Sequence, residues 1–87
     1  MAGYRLLIKT SAAKELESTG SKADRQRIVA RIQALAANPR PQGAEKLAGY
    51  TDQLRIRQGN YRILYSVDDE RLEVTIFRIG HRKDVYR

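Results

Sequence analysis

The sequence predicts an α+β fold in which two N-terminal helices pack on a mainly antiparallel sheet, in the order β-α-α-β-β-β. Three observations predict it. Short apolar runs of strand type open the chain at residues 4–9 and close it between 54 and 79. Helical spacing of apolar residues is confined to the stretch between them. The last three runs follow one another through brief turns, which join antiparallel neighbours and leave no room for crossovers.

The elements follow in order. Residues 4–9, YRLLIK, read as a first strand. Thr10 or Ser11 can cap a short helix over 12–18, AAKELES, with Leu16 as its main apolar contact, and Gly20 ends it. A longer helix fits 22–37, where Ile28, Ile32 and Leu35 recur at i, i+4, i+7 and Val29 and Ala36 widen the stripe. Asn38-Pro39-Arg40-Pro41-Gln42-Gly43 stops that helix, because two prolines and a glycine cannot continue it. A linking segment through Lys46, Leu47 and Gly49 then leads to "LRIRQGNYRILY", residues 54–65. The final strand, 72–79, is rich in β-branched residues and follows the turn marked by Asp68-Asp69-Glu70.

The register of the hairpin decides what its arginines do, since directly opposite residues share a face. A three-residue loop, Gln58-Gly59-Asn60, would set Arg57 against Tyr61 and Arg55 against Ile63, mixing cations with core residues. A two-residue loop, Gly59-Asn60, pairs Arg57 with Arg62, Ile56 with Ile63, Arg55 with Leu64 and Leu54 with Tyr65. It sorts Leu54, Ile56, Ile63 and Tyr65 onto a buried face and Arg55, Arg57 and Arg62 onto the other. Gly-Asn also suits a type II′ turn with glycine first. The second register is therefore expected. It crowds three like charges, with no acidic residue of the hairpin placed to relieve them and Asp52 lying beyond the cluster. Such crowding points to an anion, and the planar fork of arginine binds phosphate bidentately.

Composition narrows the possible functions. The chain has 87 residues, 41% hydrophobic and 31% charged, which suits one globular domain spanning 1–87. Seventeen Lys+Arg against ten Asp+Glu give a net charge of +7, a balance that favours polyanionic partners. There is no cysteine, so disulfides, thiol nucleophiles and Cys-type zinc sites are excluded. No apolar run reaches the ~20 residues of a spanning helix, and the opening MAGYRLLIKT is broken by Arg5 and Lys9. A soluble cytoplasmic protein without a membrane partner is expected. No carboxylate cluster suggests Mg²⁺, so neither metal nor cofactor is expected.

The tail "GHRKDVYR" gathers His81, Arg82, Lys83, Tyr86 and Arg87 behind Gly80, which can bend the chain. Histidine is the one side-chain type in the chain whose unperturbed pKa lies near neutrality, and His81 is its single occurrence. If the last strand pairs beside the 61–67 strand, this tail can fold back near the arginines. From the residues alone, that describes a nucleic-acid backbone site.

The hairpin "LRIRQGNYRILYSV", the preceding "NPRPQGAEKLAG", the ending "RIGHRKDVYR" and "SAAKEL" at the first helix together resemble the RelE branch of the RelE/ParE toxin superfamily. The resemblance covers nearly the whole chain and implies a small sandwich of the microbial ribonuclease kind. It further implies a type II toxin, held by a cognate antitoxin, that cuts mRNA in the ribosomal A site. Its basic residues of the second strand fall at Arg55 and Arg57, where well-understood members carry lysines. The arginine after the glycine turn falls at Arg62, the arginine after the last strand at Arg82 and the catalytic tyrosine at Tyr86. His81 lies where those members have another basic residue.

The implied chemistry is metal-free transesterification, which needs a proton acceptor, charge stabilisation and a proton donor. Arg57, Arg62 and Arg82 suit the phosphate. Arginine is a poor proton carrier, so replacing the lysines leaves the base unassigned and His81 as the best acid/base candidate. Lys46, Lys83 and Arg87 are further RNA-binding candidates, beside Arg55, Arg57 and Arg62. The antitoxin is expected to present an acidic, partly disordered segment. A ParE-like gyrase inhibitor and a non-catalytic RNA-binding module are the competing readings.

Overall fold

The computed structural model describes residues 3–49 and 52–81. Two helices lie on a five-stranded sheet, and the expected order is kept with one short strand added. The elements are β1 (Arg5–Ile8), α1 (Thr10–Glu17), α2 (Lys22–Ala34), β2 (Glu45–Lys46), β3 (Gln53–Gln58), β4 (Tyr61–Asp68) and β5 (Glu73–His81). The strand order across the sheet is β1-β5-β4-β3-β2. Only the β1–β5 pair is parallel; the other three are antiparallel.

α1 begins earlier than its sequence suggests, and neither Thr10 nor Ser11 caps it. The chain enters the helix straight from the sheet: the Lys9 N–H donates to the Ile76 carbonyl, and the Lys9 carbonyl accepts from the Ala13 N–H. With Lys9 serving both sheet and helix, no loop remains in which a side-chain cap could sit. The buried contact of α1 is Ala12, while Leu16 is partly buried against the same cluster. A small side chain there lets the helix approach β5 closely.

α2 is capped by Ser21, whose hydroxyl accepts from the Asp24 N–H at 3.0 Å. It stops at Ala34, three residues short of the expected end. Ala36 and Ala37 donate three residues back, to Gln33 and Ala34, which tightens the last turn. The carbonyl of Ala36 accepts from the Tyr4 N–H instead of continuing the helix. Ile28, Ile32 and Leu35 are buried as their spacing requires. Val29 is 37% exposed, so the stripe is narrower than expected on that side.

The core lies between the helices and one face of the sheet, where Ile28, Ile32 and Leu35 meet Leu54, Ile56, Ile63, Tyr65, Val67, Val74, Ile76 and Ile79. β5 keeps its part of that face by a bulge. Leu64 pairs with Arg78 and Tyr65 with Ile76, so Phe77 is the extra residue. Strict alternation from Val74 and Ile76 would turn Arg78 inward; the bulge turns Ile79 inward instead.

β2 is the element that the sequence did not announce. Glu45 pairs with Arg55 and Lys46 with Leu54, placing a two-residue strand on the outer edge of β3. Its signal is weak because two residues carry no periodicity. In the turn between β4 and β5, Asp69 accepts from the Tyr4 hydroxyl at 2.6 Å and from Arg40 at 2.8 and 3.1 Å. Beneath them, the Tyr65 hydroxyl donates to the Pro39 carbonyl at 2.7 Å. These bonds tie the segment after α2 to the sheet.

Candidate functional site

The two-residue hairpin register is the one adopted: Gln58 pairs with Tyr61, Arg57 with Arg62, Arg55 with Leu64 and Leu54 with Tyr65. Gly59 has φ +61° and Asn60 keeps a negative φ, the signature of the type II′ turn. A residue with Cβ at position 59 would be strained, which explains the glycine. Leu54, Ile56, Ile63 and Tyr65 are buried together, and Arg55, Arg57 and Arg62 share the other face.

Leu64 also belongs to that second face, yet it is buried and stands outside the core cluster. Its directly opposite neighbours are Arg55 on β3 and Arg78 on β5. The aliphatic stems of flanking arginines cover such a residue while their charged ends stay in water. Leu64 thus gives the arginine face an apolar floor.

No acidic residue of the hairpin relieves the three charges; the relief comes from outside it, from Glu45 on β2, and not from Asp52. Arg55 Nη2 donates to Glu45 Oε2 at 2.9 Å across the β2–β3 pair. The Glu45 carboxyl is held below the usual carboxylate range, first by that hydrogen bond and the charge of Arg55, then by the charges of Arg57 and Arg62. An anion at this point therefore feels all three arginines. Glu45 was not singled out in the sequence because it is ten residues from Arg55 and meets it only through β2.

The other candidates divide by face. Lys46 pairs with Leu54 and so alternates to the helix side of the sheet edge. His81 pairs with Tyr61, and their rings meet edge to face with centroids 5.7 Å apart. Tyr61 packs against the core cluster, so His81 also lies on the helix side. Gly80, between Ile79 and His81, is the β5 residue that faces Arg62. Arg78, which was not a candidate, lies in the Leu64 row and approaches Glu15 Oε2 with its Nε at 3.5 Å. Arg82, Lys83, Tyr86 and Arg87 lie outside the described residues. Among the described residues no group of three His, Asp or Glu side chains could hold a metal ion, and no helix is long and apolar enough to cross a membrane.

Residues 6–86 match the family described as the ParE toxin of the type II toxin–antitoxin system parDE. The chain belongs to the RelE/ParE toxin superfamily. A RelE-like toxin protein of Escherichia coli is 30% identical over 87 aligned positions, which cover 95% of this chain and 90% of that one. Toxin RelG of Mycobacterium tuberculosis is 55% identical over 31 residues, 36% of this chain and 36% of RelG; that match spans about a third of the relative's length. Among solved structures, the archaeal RelE–RelB complex from Pyrococcus horikoshii superposes with a TM-score of 0.81 at 30% identity, covering 94% of this chain and 98% of that one. The RelE-type toxin fold is thus shared over nearly the whole chain.

Proposed function

We propose that this RelE/ParE toxin inhibits translation by cutting mRNA in the ribosomal A site. The observation that carries the reading is the register that sets Arg57 directly opposite Arg62, with Arg55 two residues along on the same face. A scissile phosphate needs such a point, and three cations on one face concentrate positive charge where its oxygens would lie.

In the reaction, the ribose 2′-OH attacks the adjacent phosphorus and the 5′-oxygen leaves, giving a 2′,3′-cyclic phosphate and a 5′-hydroxyl. Arg57 and Arg62 hold the non-bridging oxygens, with Arg82 as a third clamp, while Arg55 is oriented by Glu45. His81 is the proton-transfer candidate by residue type, and its ring would have to leave Tyr61 on the helix side and turn past Gly80 to act at the phosphate. Tyr86 stacks on a base or orients the 2′-OH. Lys46, Lys83 and Arg87 contact the RNA backbone outside the reacting centre. The ribosome supplies the mRNA in position, which suits a site whose cations hold charge well and move protons poorly.

The P. horikoshii relative was solved as a toxin–antitoxin complex, and an antitoxin is the expected partner here as well. An acidic, partly disordered segment that covers the arginine face would neutralise the toxin by competing for the phosphate point. The match to a family described by ParE favours a second reading, inhibition of DNA gyrase by protein contact. A gyrase inhibitor has no use for three converging arginines, so the nuclease reading is preferred.

Cell-free translation with mapping of mRNA 5′ ends, beside a gyrase supercoiling assay, decides between them. Codon-phased cuts that disappear without ribosomes are expected. Gyrase inhibition with intact mRNA would overturn the proposal. Arg62→Ala and Arg82→Ala should each reduce cleavage sharply while the circular dichroism spectrum is retained.

A further inference from the structure

We propose that the cleft between the end of α1 and the ends of β4 and β5 takes a nucleobase of the RNA strand whose phosphate lies on Arg57 and Arg62, and thereby sets the base preference of the site. The inference rests on the reading of the arginine face as an RNA phosphate site. It adds a second subsite with a different chemistry.

The cleft exists because the sheet loses a strand there. β1 ends at Ile8, opposite Ile76, so the last five residues of β5 have no strand on their outer side. α1 lies along that edge instead, and Glu15 Oε1 accepts the Ile79 N–H at 2.9 Å in place of a strand carbonyl. Between helix and strand ends there is a space of about 390 Å³, with Lys14, Glu15 and Ser18 on one side and Tyr61, Arg78 and His81 on the other. That is ample for a flat heterocycle.

The walls suit a nucleobase better than another phosphate. Tyr61 and His81 stand at an interplanar angle of 80°, so one ring can offer its face while the other offers its edge. Stacking on such rings is how single-stranded bases are commonly held. Lys14 and Arg78 supply donors, and the Ser18 hydroxyl, which donates to the Lys14 carbonyl at 3.0 Å, can accept. Glu15 supplies an acceptor: each carboxylate oxygen has two lone-pair directions, and the structure uses Oε1 for Ile79 and Oε2 for Arg78. A base edge carries donors and acceptors together, whereas a phosphate would be repelled by the Glu15 carboxylate.

Continuity with the phosphate point comes from Gly80. Gly80 pairs with Arg62 and His81 with Tyr61, so the cleft begins one strand spacing, about 5 Å, from the Arg62 backbone. Residue 80 has no side chain to stand between them. A nucleotide whose phosphate meets Arg62 can therefore pass its base across Gly80 into the cleft, and His81 then borders both subsites.

Titration of the full-length toxin with guanosine, adenosine, cytidine and uridine 5′-monophosphates, with ribose 5-phosphate as the baseline, tests this by NMR. At least one base should bind about fivefold more tightly than ribose 5-phosphate, the lower end for a stacked base, and should shift the amides of Lys14, Ser18 and Tyr61. Ser18→Phe, which fills the cleft from an exposed helix end, should bring that nucleotide down to the baseline affinity. It should also flatten the base preference beside the cut. Lys14→Ala, a shortening of an exposed side chain, should reduce the same excess and decides the matter if Ser18→Phe does not fold. Equal binding of all four nucleotides and ribose 5-phosphate would overturn the inference. So would base discrimination unchanged in the variants. Base-dependent binding in the cleft without RNA cleavage would sink the nuclease reading and leave this subsite standing; cleavage without base-dependent binding would do the reverse.

Discussion

Glu45 acts as a resident anion on a face built from arginines. Its carboxylate holds Arg55 at 2.9 Å and feels Arg57 and Arg62 as well, so on the proposed function it would compete with the incoming phosphate. Glu45→Gln keeps the shape and removes the charge. Inorganic phosphate and short RNA should then bind roughly two- to fivefold more tightly at low salt, an effect of the size expected for an exposed ion pair, measured by calorimetric titration. Weaker binding would mean that Glu45 serves chiefly to aim Arg55. Tyr65 shows the opposite situation, a polar group kept inside. Burial pushes its hydroxyl up to about 12, so it stays a donor to the Pro39 carbonyl at all ordinary pH values. Tyr65→Phe leaves that carbonyl without its partner and should cost about 1–3 kcal/mol in urea unfolding.

At the scale of elements, two backbone details set which residues share a face. The first is the Gly59 turn. An added Cβ at Gly59 meets nothing within 4 Å, so the cost of Gly59→Ala is conformational and not steric. It should be about 1–2 kcal/mol, read as a lowered urea midpoint with an unchanged slope. The second is the bulge at Phe77, which moves Arg78 out of the core and carries Gly80, not His81, to the arginine face. The turn was legible because only one loop length sorts oil from cation along 54–65. The bulge left a trace in the sequence too: alternation from Val74 demands an apolar residue at 78, and the chain has arginine there and isoleucine at 79. The α1 start and β2 were not legible. A strand that runs directly into a helix has no capping loop to read, and a two-residue edge strand has no period.

Over the whole molecule, Asp69 joins three distant parts of the chain: Tyr4 before β1, Arg40 after α2 and its own turn between β4 and β5. The Arg40 and Tyr4 hydrogen bonds hold the Asp69 carboxyl down to about 2, below the ~3.9 of an unfolded chain. Its contribution to stability is therefore complete above about pH 4 and is lost as pH falls through about 2. Asp69→Asn should remove this carboxylate's step from the acid limb across that window and lower stability near pH 7 by the same small amount, small because the site is exposed, followed by urea unfolding at stepped pH. An unchanged acid limb would mean that other carboxylates govern acid unfolding.

What the sequence alone determined is whatever depends on neighbours along the chain. Turn chemistry at Gly59-Asn60 and the helical spacing of Ile28, Ile32 and Leu35 sufficed for the fold class, the hairpin register and the gathering of Arg55, Arg57 and Arg62 on one face. What the tertiary structure decided is whatever depends on residues distant in sequence. β2 brings Glu45 to Arg55 across ten residues, and the bulge assigns His81 to the helix side. The early end of β1 opens the cleft beside Gly80, because an unpaired strand edge must be satisfied by something, and here the Glu15 carboxylate on α1 does it.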